Sequence, residues 1–326
     1  MTVLVTGAAG FIGFHVATAL LKRGERVIGV DNLNDYYDVA LKQARLDGLA
    51  RHDSFAFHRI DIADQAAMEG LAGTYPDITR VVHLAAQAGV RYSLTHPQAY
   101  IHANLEGHFA VLETCRRLDR LEHLVYASSS TVYSGITRLP FSIEERVDRP
   151  ISLYAATKIS GELMSYCYSH LYGLPMTGLR FFTAYGPWGR PDLSAYIFTR
   201  QILAGEPIQV FNHGDMKRDF TYIDDAVAGA VAALDRPPAA RDGAAPHRLY
   251  NLGNHRSEPL MRFIQVIEKA VGRKAKIKLE PMQPGDAKET FADITASRRD
   301  LGFNPTTNID EGIPKFVAWF RDYHGV

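Results

Sequence analysis

Short β-branched runs alternate with longer stretches of helical period through the first half of the chain. Val3-Leu4-Val5 is an apolar run of the kind that makes a buried strand, and Phe11 to Lys22 follows with a mostly apolar helical face. The pattern continues with strands at Arg26 to Val30, Phe55 to Ile60 and Val81 to Leu84. A long helical pattern then runs from about Pro97 to Leu118, followed by a strand at His123 to Ala127, a helix at Leu153 to Tyr172 and a strand at Met176 to Phe182. Strand and helix in regular alternation predict an α/β fold, a doubly wound (Rossmann) parallel sheet with helices on both faces. Ligands of such a sheet sit beyond the C-terminal ends of its strands.

After residue 183 the rhythm breaks, and Pro and Gly become dense in Gly186-Pro187-Trp188-Gly189-Arg190-Pro191. Asp219 to Ile223 and Leu249 to Leu252 still read as sheet material, separated by a polar, Pro- and Ala-rich surface loop from Arg236 to Pro246. The expected organisation is a cofactor-binding domain over 1–179, with returning segments at about 217–253. A smaller substrate-binding domain would comprise 180–216 and 254–326.

Composition narrows the classes. Thirty-six Lys plus Arg balance 36 Asp plus Glu, so no global field favours nucleic acid or an anionic membrane. Cys115 and Cys167 make no ligand spacing, which argues against a disulfide scaffold or a metal site. No signal-peptide pattern opens the chain and no apolar run approaches about 18 residues. The expectation is a cytoplasmic globular protein without metal, nucleic-acid or membrane partners.

Thr6-Gly7-Ala8-Ala9-Gly10-Phe11-Ile12-Gly13 lies directly between a predicted strand and a predicted helix. Small residues there let the backbone approach a pyrophosphate, whose charge meets the free N–H groups of the helix N-terminus. Asp31 ends the second strand, 18 residues after Gly13. A carboxylate at that place accepts hydrogen bonds from a ribose 2′-OH and repels a 2′-phosphate, favouring NAD over NADP.

The G-x-x-G-x-x-G spacing resembles that of the extended short-chain dehydrogenase/reductase family, and further landmarks follow in family order over the whole chain. Asp61-Ile62 is similar to the pair that contacts adenine, and Leu84-Ala85-Ala86-Gln87 to the motif lining the cofactor. Asn104, Ser128-Ser129, Tyr154-x-x-x-Lys158 and Arg180-Phe181-Phe182 come next. The resemblance implies that Gly7, Gly10, Phe11, Ile12, Gly13, Asp31, Asn32, Asp61, Ile62, residues 84–87, Asn104, Ser128, Tyr154 and Lys158 contact NAD.

Tyr154 and Lys158 are four apart in a helical pattern and share a face. With 16 tyrosines in the chain, the spacing alone carries little. Its place after the strand that ends Ala127-Ser128-Ser129 carries more. Removing hydride from a carbinol carbon requires a base for the hydroxyl proton, and a free phenol has a pKa near ~10. A cation at ~5 Å in an effective dielectric of ~20 is worth roughly 3 kcal/mol, enough to lower that pKa by about two. Lys158 together with a positive nicotinamide is expected to bring Tyr154 toward neutrality, and Ser129 to align the reacting hydroxyl.

Neighbouring residues choose among reactions. Related dehydratases carry an Asp-Glu pair just before Val-Tyr and related decarboxylases keep the Glu, whereas this chain reads Ser129-Ser130-Thr131-Val132-Tyr133. The stretch from Asp31 to Asp38 and Arg180-Phe181-Phe182-Thr183 resemble UDP-glucuronate 4-epimerases. That likeness implies an isomerase acting through a transient 4-keto sugar, with NAD as cofactor and a homodimeric assembly. Catalysis would fall to Tyr154, Lys158 and Ser129. Ser129, Ser130, Thr183 and Arg190 would contact the sugar, the last two holding its carboxylate. Arg218 would meet the diphosphate, and Gln209-Val210-Phe211 would seat the uracil. The competing readings are a UDP-glucose/UDP-galactose 4-epimerase, a UDP-glucuronate decarboxylase and a non-catalytic NAD-binding regulator.

Overall fold

The computed structural model describes residues 1–240 and 243–326. Residues 241 and 242 of the predicted surface loop lie outside the described residues.

Seven strands form one sheet: β1 (Thr2–Thr6), β2 (Arg26–Asp31), β3 (Phe55–Arg59), β4 (Ile78–His83), β5 (His123–Ser129), β6 (Met176–Phe181) and β7 (His247–Leu252). Their order across the sheet is β7-β6-β5-β4-β1-β2-β3, and every neighbouring pair is parallel. The chain winds outward from β1 to β3, then returns to place β4 on the other side of β1. That reversal opens a crevice beyond the ends of β1 and β4, where ligands of such sheets bind. The doubly wound architecture expected from the alternation is the one found.

Strand alternation divides the core into two layers. Val3, Val5, Val27, Val82 and Val125 face one side, against α1 (Phe11–Lys22) and the apolar face of the helix Ile223–Leu234. Leu4, Ile28, Val81, Leu124 and Tyr126 face the other, against Val111, Leu112 and Cys115 of the helix Gly107–Arg116 and Met68 and Leu71 of the helix Gln65–Thr74. The helix Leu153–Tyr172 lies on this second side. It starts at Ser152, whose hydroxyl accepts the Ala155 N–H at 3.2 Å, and stops at left-handed Gly173. The cap fixes the first turn, and with it Tyr154.

One predicted helix is not continuous. The stretch from Pro97 is α-helical to Ile101, widens into a π-turn over His102–Glu106, and resumes as α-helix over Gly107–Arg116. The widened turn places the Asn104 side chain against the Leu84–Gln87 segment, and such turns concentrate at functional sites.

Beyond β6 the chain builds small pairings. Thr183–Tyr185 runs parallel to Phe220–Tyr222, and Pro207–Val210 parallel to Lys276–Leu279, while Lys217–Arg218 is antiparallel to Glu258–Pro259. Thr183, Ala184, Gln209, Arg218 and Phe220 of these pairs line the same crevice. No helix among the described residues is long and apolar enough to cross a membrane.

Candidate active site

A cavity of about 970 Å³ runs from the glycine turn to these small pairings. That is the upper end of the range for small-molecule sites. Its floor is the β1–α1 turn. Gly7 has φ +71, and a Cβ there would stand 2.7 Å from the Ala85 nitrogen. A Cβ on Gly13 would stand 1.9 Å from the Gly7 carbonyl oxygen, so both positions require glycine. Asp31 ends β2 buried, its oxygens accepting the Ala9 N–H at 3.2 Å and the Leu33 N–H at 2.9 Å. Each oxygen keeps lone-pair capacity for a ribose hydroxyl. Asp61 accepts from the Asn32 amide at 3.0 Å and the Ala63 N–H at 3.0 Å. Burial pushes the Asp61 carboxyl up, but these donors and His102 outweigh it and hold it below the usual range. The residues therefore fit a dinucleotide: a helix N-terminus for the diphosphate, Asp31 for a ribose hydroxyl and Asp61 for the adenine.

Of the expected cofactor contacts, Gly7, Gly10, Phe11, Ile12, Gly13, Asp31, Asn32, Asp61, Ile62, Leu84 to Gln87, Ser128, Tyr154 and Lys158 all line this cavity. Asn104 departs from the expectation. It is buried, its oxygen accepts the Gln87 N–H at 2.8 Å, and its amide donates to the Gln87 carbonyl at 2.9 Å and the Thr157 hydroxyl at 3.0 Å. Its hydrogen bonds are spent tying the Leu84–Gln87 wall to the Tyr154 helix. Asn104 is placed to support the wall and not to touch what lies on it.

Tyr154 and Lys158 sit on one face of their helix, and both line the cavity. Lys158 donates to the Ala127 carbonyl at 3.0 Å. Burial lowers its ammonium to about 8, with Glu162 pulling the other way. The expected lowering of the Tyr154 phenol is not found in the protein alone: burial pushes it up, and the nearby Ser129 hydroxyl and Arg190 charge only partly offset this. Lys158 is itself desolvated and turned toward the backbone. Burial lowers the pKa of His83 and His108, behind it, well below the usual imidazole range, so these two rings stay neutral.

Behind the pair lies a buried network that the sequence reading did not assign. Glu162 is the next residue in the 154, 158 row. It receives Arg180 Nε at 2.8 Å and Nη2 at 2.7 Å, and the Ser128 hydroxyl at 2.5 Å. Arg180 Nη1 donates to the Tyr133 oxygen at 2.8 Å, and Tyr133 donates to Asn251 at 2.8 Å. Ser128 thus gives its hydroxyl proton to this network, although the residue lines the cavity. The i, i+4, i+8 spacing of Tyr154, Lys158 and Glu162 was the available signal.

On the substrate side Ser129, Ser130, Thr183, Arg190, Gln209, Phe211 and Arg218 line the cavity. Val210 does not. Its strand alternates exposed and buried residues, and Val210 is fully buried beside Ile208. Arg218 is held by the Lys217 and Lys288 carbonyls at 2.9 and 3.2 Å. Burial and the neighbouring Arg91 charge lower its pKa, against Asp286, so an anion there would be welcome. Arg91, which the sequence reading missed, also lines the cavity and stacks its guanidinium over the Phe211 ring at 4.2 Å.

Arg190 is not a free cation. Its Nε and Nη2 donate to the two oxygens of Asp192 at 2.9 and 2.7 Å, and Tyr36 donates to Asp192 Oδ2 at 3.1 Å. Nearby, fully buried Arg45 donates to the Ala9 carbonyl and the Tyr37 oxygen, both at 2.8 Å, and to the Trp188 carbonyl at 2.6 Å. It ties the glycine turn, the Asp31–Asp38 loop and the Arg190 loop together around one end of the cavity.

A dinucleotide cradle that opens onto a Tyr-Lys pair and a second, cation-bearing chamber defines an enzyme that carries out oxidation and reduction on a bound sugar-sized substrate. The chain belongs to the NAD dependent epimerase/dehydratase family, whose model matches residues 3–253. It is 46% identical over 333 residues to UDP-glucuronate 4-epimerase 3 of Arabidopsis thaliana, covering 99% of this chain and 77% of that protein. Among solved structures it is similar to the UDP-glucuronic acid 4-epimerase of Bacillus cereus in complex with UDP-glucuronic acid and NAD. The TM-score is 0.91 and the identity 33%, over 99% of this chain and 100% of that one. It is also similar to the UDP-glucose 4-epimerase of Thermotoga maritima with UDP-glucose, at TM-score 0.88 and 28% identity, over 99% and 100% of the two chains.

Proposed function

We propose that this chain is an NAD-dependent isomerase that interconverts UDP-glucuronate and UDP-galacturonate by epimerisation at C4. The observation that carries the reading is the wall beside Tyr154: small hydroxyls at Ser129, Ser130, Thr131 and Thr183, with Arg190 completing it. NAD, held by the Gly7–Gly13 turn, Asp31 and Lys158, would supply the hydride acceptor and donor for the sugar C4. Tyr154 takes the 4-hydroxyl proton, Ser129 aligns that oxygen, and Lys158 places a positive charge behind the phenolate. The pull on the phenol that the protein alone lacks would come from the cofactor's own positive charge.

A 4-keto sugar bearing a carboxylate on C5 is a β-keto acid and loses CO2 readily. The position at which related decarboxylases keep a Glu is Thr131 here, and a hydroxyl cannot serve as the acid that protonates the enolate left by CO2 loss. Thr183 and Arg190 are assigned the carboxylate, Arg218 with Arg91 the diphosphate, and Gln209 with Phe211 the uracil. The division into 1–179 with 217–253, and 180–216 with 254–326, follows the same logic of cofactor and substrate halves.

Arg190→Ala tests the carboxylate assignment. It removes the cation and leaves Asp192 as an unpaired carboxylate facing the substrate's own. UDP-glucuronate binding to the NAD-loaded enzyme is expected to weaken about 10²-fold, with UDP-glucose changed less than about threefold, by calorimetry. Equal losses on both ligands would reject the assignment and favour the neutral-sugar reading.

The same proposal includes a cytoplasmic homodimer. Leu163, Tyr166 and Leu171 of the Leu153–Tyr172 helix are 66%, 50% and 62% exposed, and Phe109 of the adjacent helix is 41% exposed. An apolar face of two neighbouring helices suits a second copy. Leu163→Asp is expected to shift the particle from twice the chain mass to one chain mass in light scattering. A native chain that is already monomeric would remove the dimer.

A further inference from the structure

One edge of the Arg190 guanidinium is already occupied. Asp192 takes Nε and Nη2 in a bidentate pair, and Nη1 carries no hydrogen bond among the described residues. Tyr36 holds Asp192 Oδ2 from the opposite loop, so the carboxylate is fixed from two sides. Its Gly89 side is closely packed, where a Cβ at φ +100 would stand 3.0 Å from the Tyr36 oxygen and 3.9 Å from Asp192 Oδ2, while Arg190 and Asp192 both line the cavity. Tyr36 in turn packs on Tyr92, with ring centroids 4.7 Å apart. An arginine built only to grip a carboxylate would present its open fork, the geometry that binds carboxylates most strongly. This one shares its charge with Asp192 and has only its Nη1–Nη2 edge left for a ligand.

We propose that Asp192 is a positioning residue that competes with the substrate carboxylate for Arg190 and so keeps the carboxylate exchangeable during turnover. The inference rests on the UDP-glucuronate reading above. Epimerisation requires the keto sugar to offer first one face and then the other to the same hydride carrier. Between the two, the C5 carboxylate must leave one set of contacts and take another. An unshared grip would deepen the bound ground and keto states more than the barrier between the two sugar orientations, so the sugar would bind more tightly and turn more slowly. A fork shared with Asp192, and locked in place by Tyr36, gives discrimination in favour of an anionic sugar while leaving it free to turn. The same two charges act in opposite directions on the Tyr154 phenol, Arg190 lowering it and Asp192 raising it, which places the pair within reach of the reacting end of the cavity.

The test uses NAD-loaded native enzyme, Asp192→Asn and Tyr36→Phe, with steady-state kinetics on UDP-glucuronate and calorimetric binding of UDP-glucuronate and UDP-glucose. Asp192→Asn is expected to bind UDP-glucuronate about tenfold tighter and to lose about tenfold in kcat, with UDP-glucose binding changed less than about twofold. Tyr36→Phe, which frees Asp192 from one side only, should move both constants the same way by about threefold. Should Asp192→Asn not fold, Tyr36→Phe decides alone. Weaker uronate binding, or an unchanged kcat, in the variants overturns the proposal and leaves the carboxylate assignment of Arg190 standing. A native enzyme that does not convert UDP-glucuronate removes both the proposed function and this inference.

Discussion

Tyr154→Phe is expected to lower turnover by about 10³-fold while NAD binding stays within about twofold of native. In the proposed mechanism the phenol takes the proton of the hydroxyl that is oxidised. Around it stand the Ser129 hydroxyl, the Arg190–Asp192 pair and a lysine whose ammonium donates to the Ala127 carbonyl. Phenylalanine keeps the ring, its edge contact with Tyr100 at 5.9 Å and the capped first helical turn, so the fold has no reason to change. Single-turnover measurement of cofactor reduction with bound UDP-sugar separates the chemical step from binding. Near-native turnover in this variant would remove Tyr154 from the mechanism.

Gly13→Ala is expected to abolish cofactor binding, and turnover with it. The added Cβ would meet the Gly7 carbonyl oxygen at 1.9 Å and the Gly7 carbonyl carbon at 2.7 Å. Overpacking against a flexible side chain costs about 1–3 kcal/mol, but here the obstacle is backbone in the turn itself. The turn must open, and the helix N-terminus then no longer faces a diphosphate. Gly73→Ala is the control, because nothing lies within 4 Å of the Cβ it would add. Titration with NAD, followed by protein fluorescence, should show saturation for the control and none for Gly13→Ala. A variant that still saturates at native concentrations would mean that the turn does not carry the cofactor.

Much of this was legible in the residue pattern because it rests on local rules. Alternating strands and helices set the sheet, and the position of Gly7, Gly10 and Gly13 between β1 and α1 placed the cradle. Asp31 and Asp61 reached the cavity because strand ends in such a sheet share one edge. Asn104 and Val210 were placed wrongly for physical reasons. A motif position shows that a side chain matters to a site but not whether it touches the ligand or braces the wall, and Asn104 braces. Val210 sits in a strand whose alternate residues point away from the cavity. The raised Tyr154 phenol was missed because charge spacing along a helix says nothing of burial. Arg45, Glu162 and Asp192 act through partners far away in sequence, Ala9 and Trp188, Arg180, and Tyr36. No single-chain pattern announces those meetings, although the 154, 158, 162 row hinted at one of them.

The central claim is that the cavity epimerises an anionic sugar and protects it from decarboxylation. Product analysis by NMR after separate incubation of the purified protein with UDP-glucuronate and with UDP-glucose tests it most directly. UDP-galacturonate from the first, with little change in the second, is the predicted result. UDP-galactose alone, or a pentose product from the uronate, would contradict it.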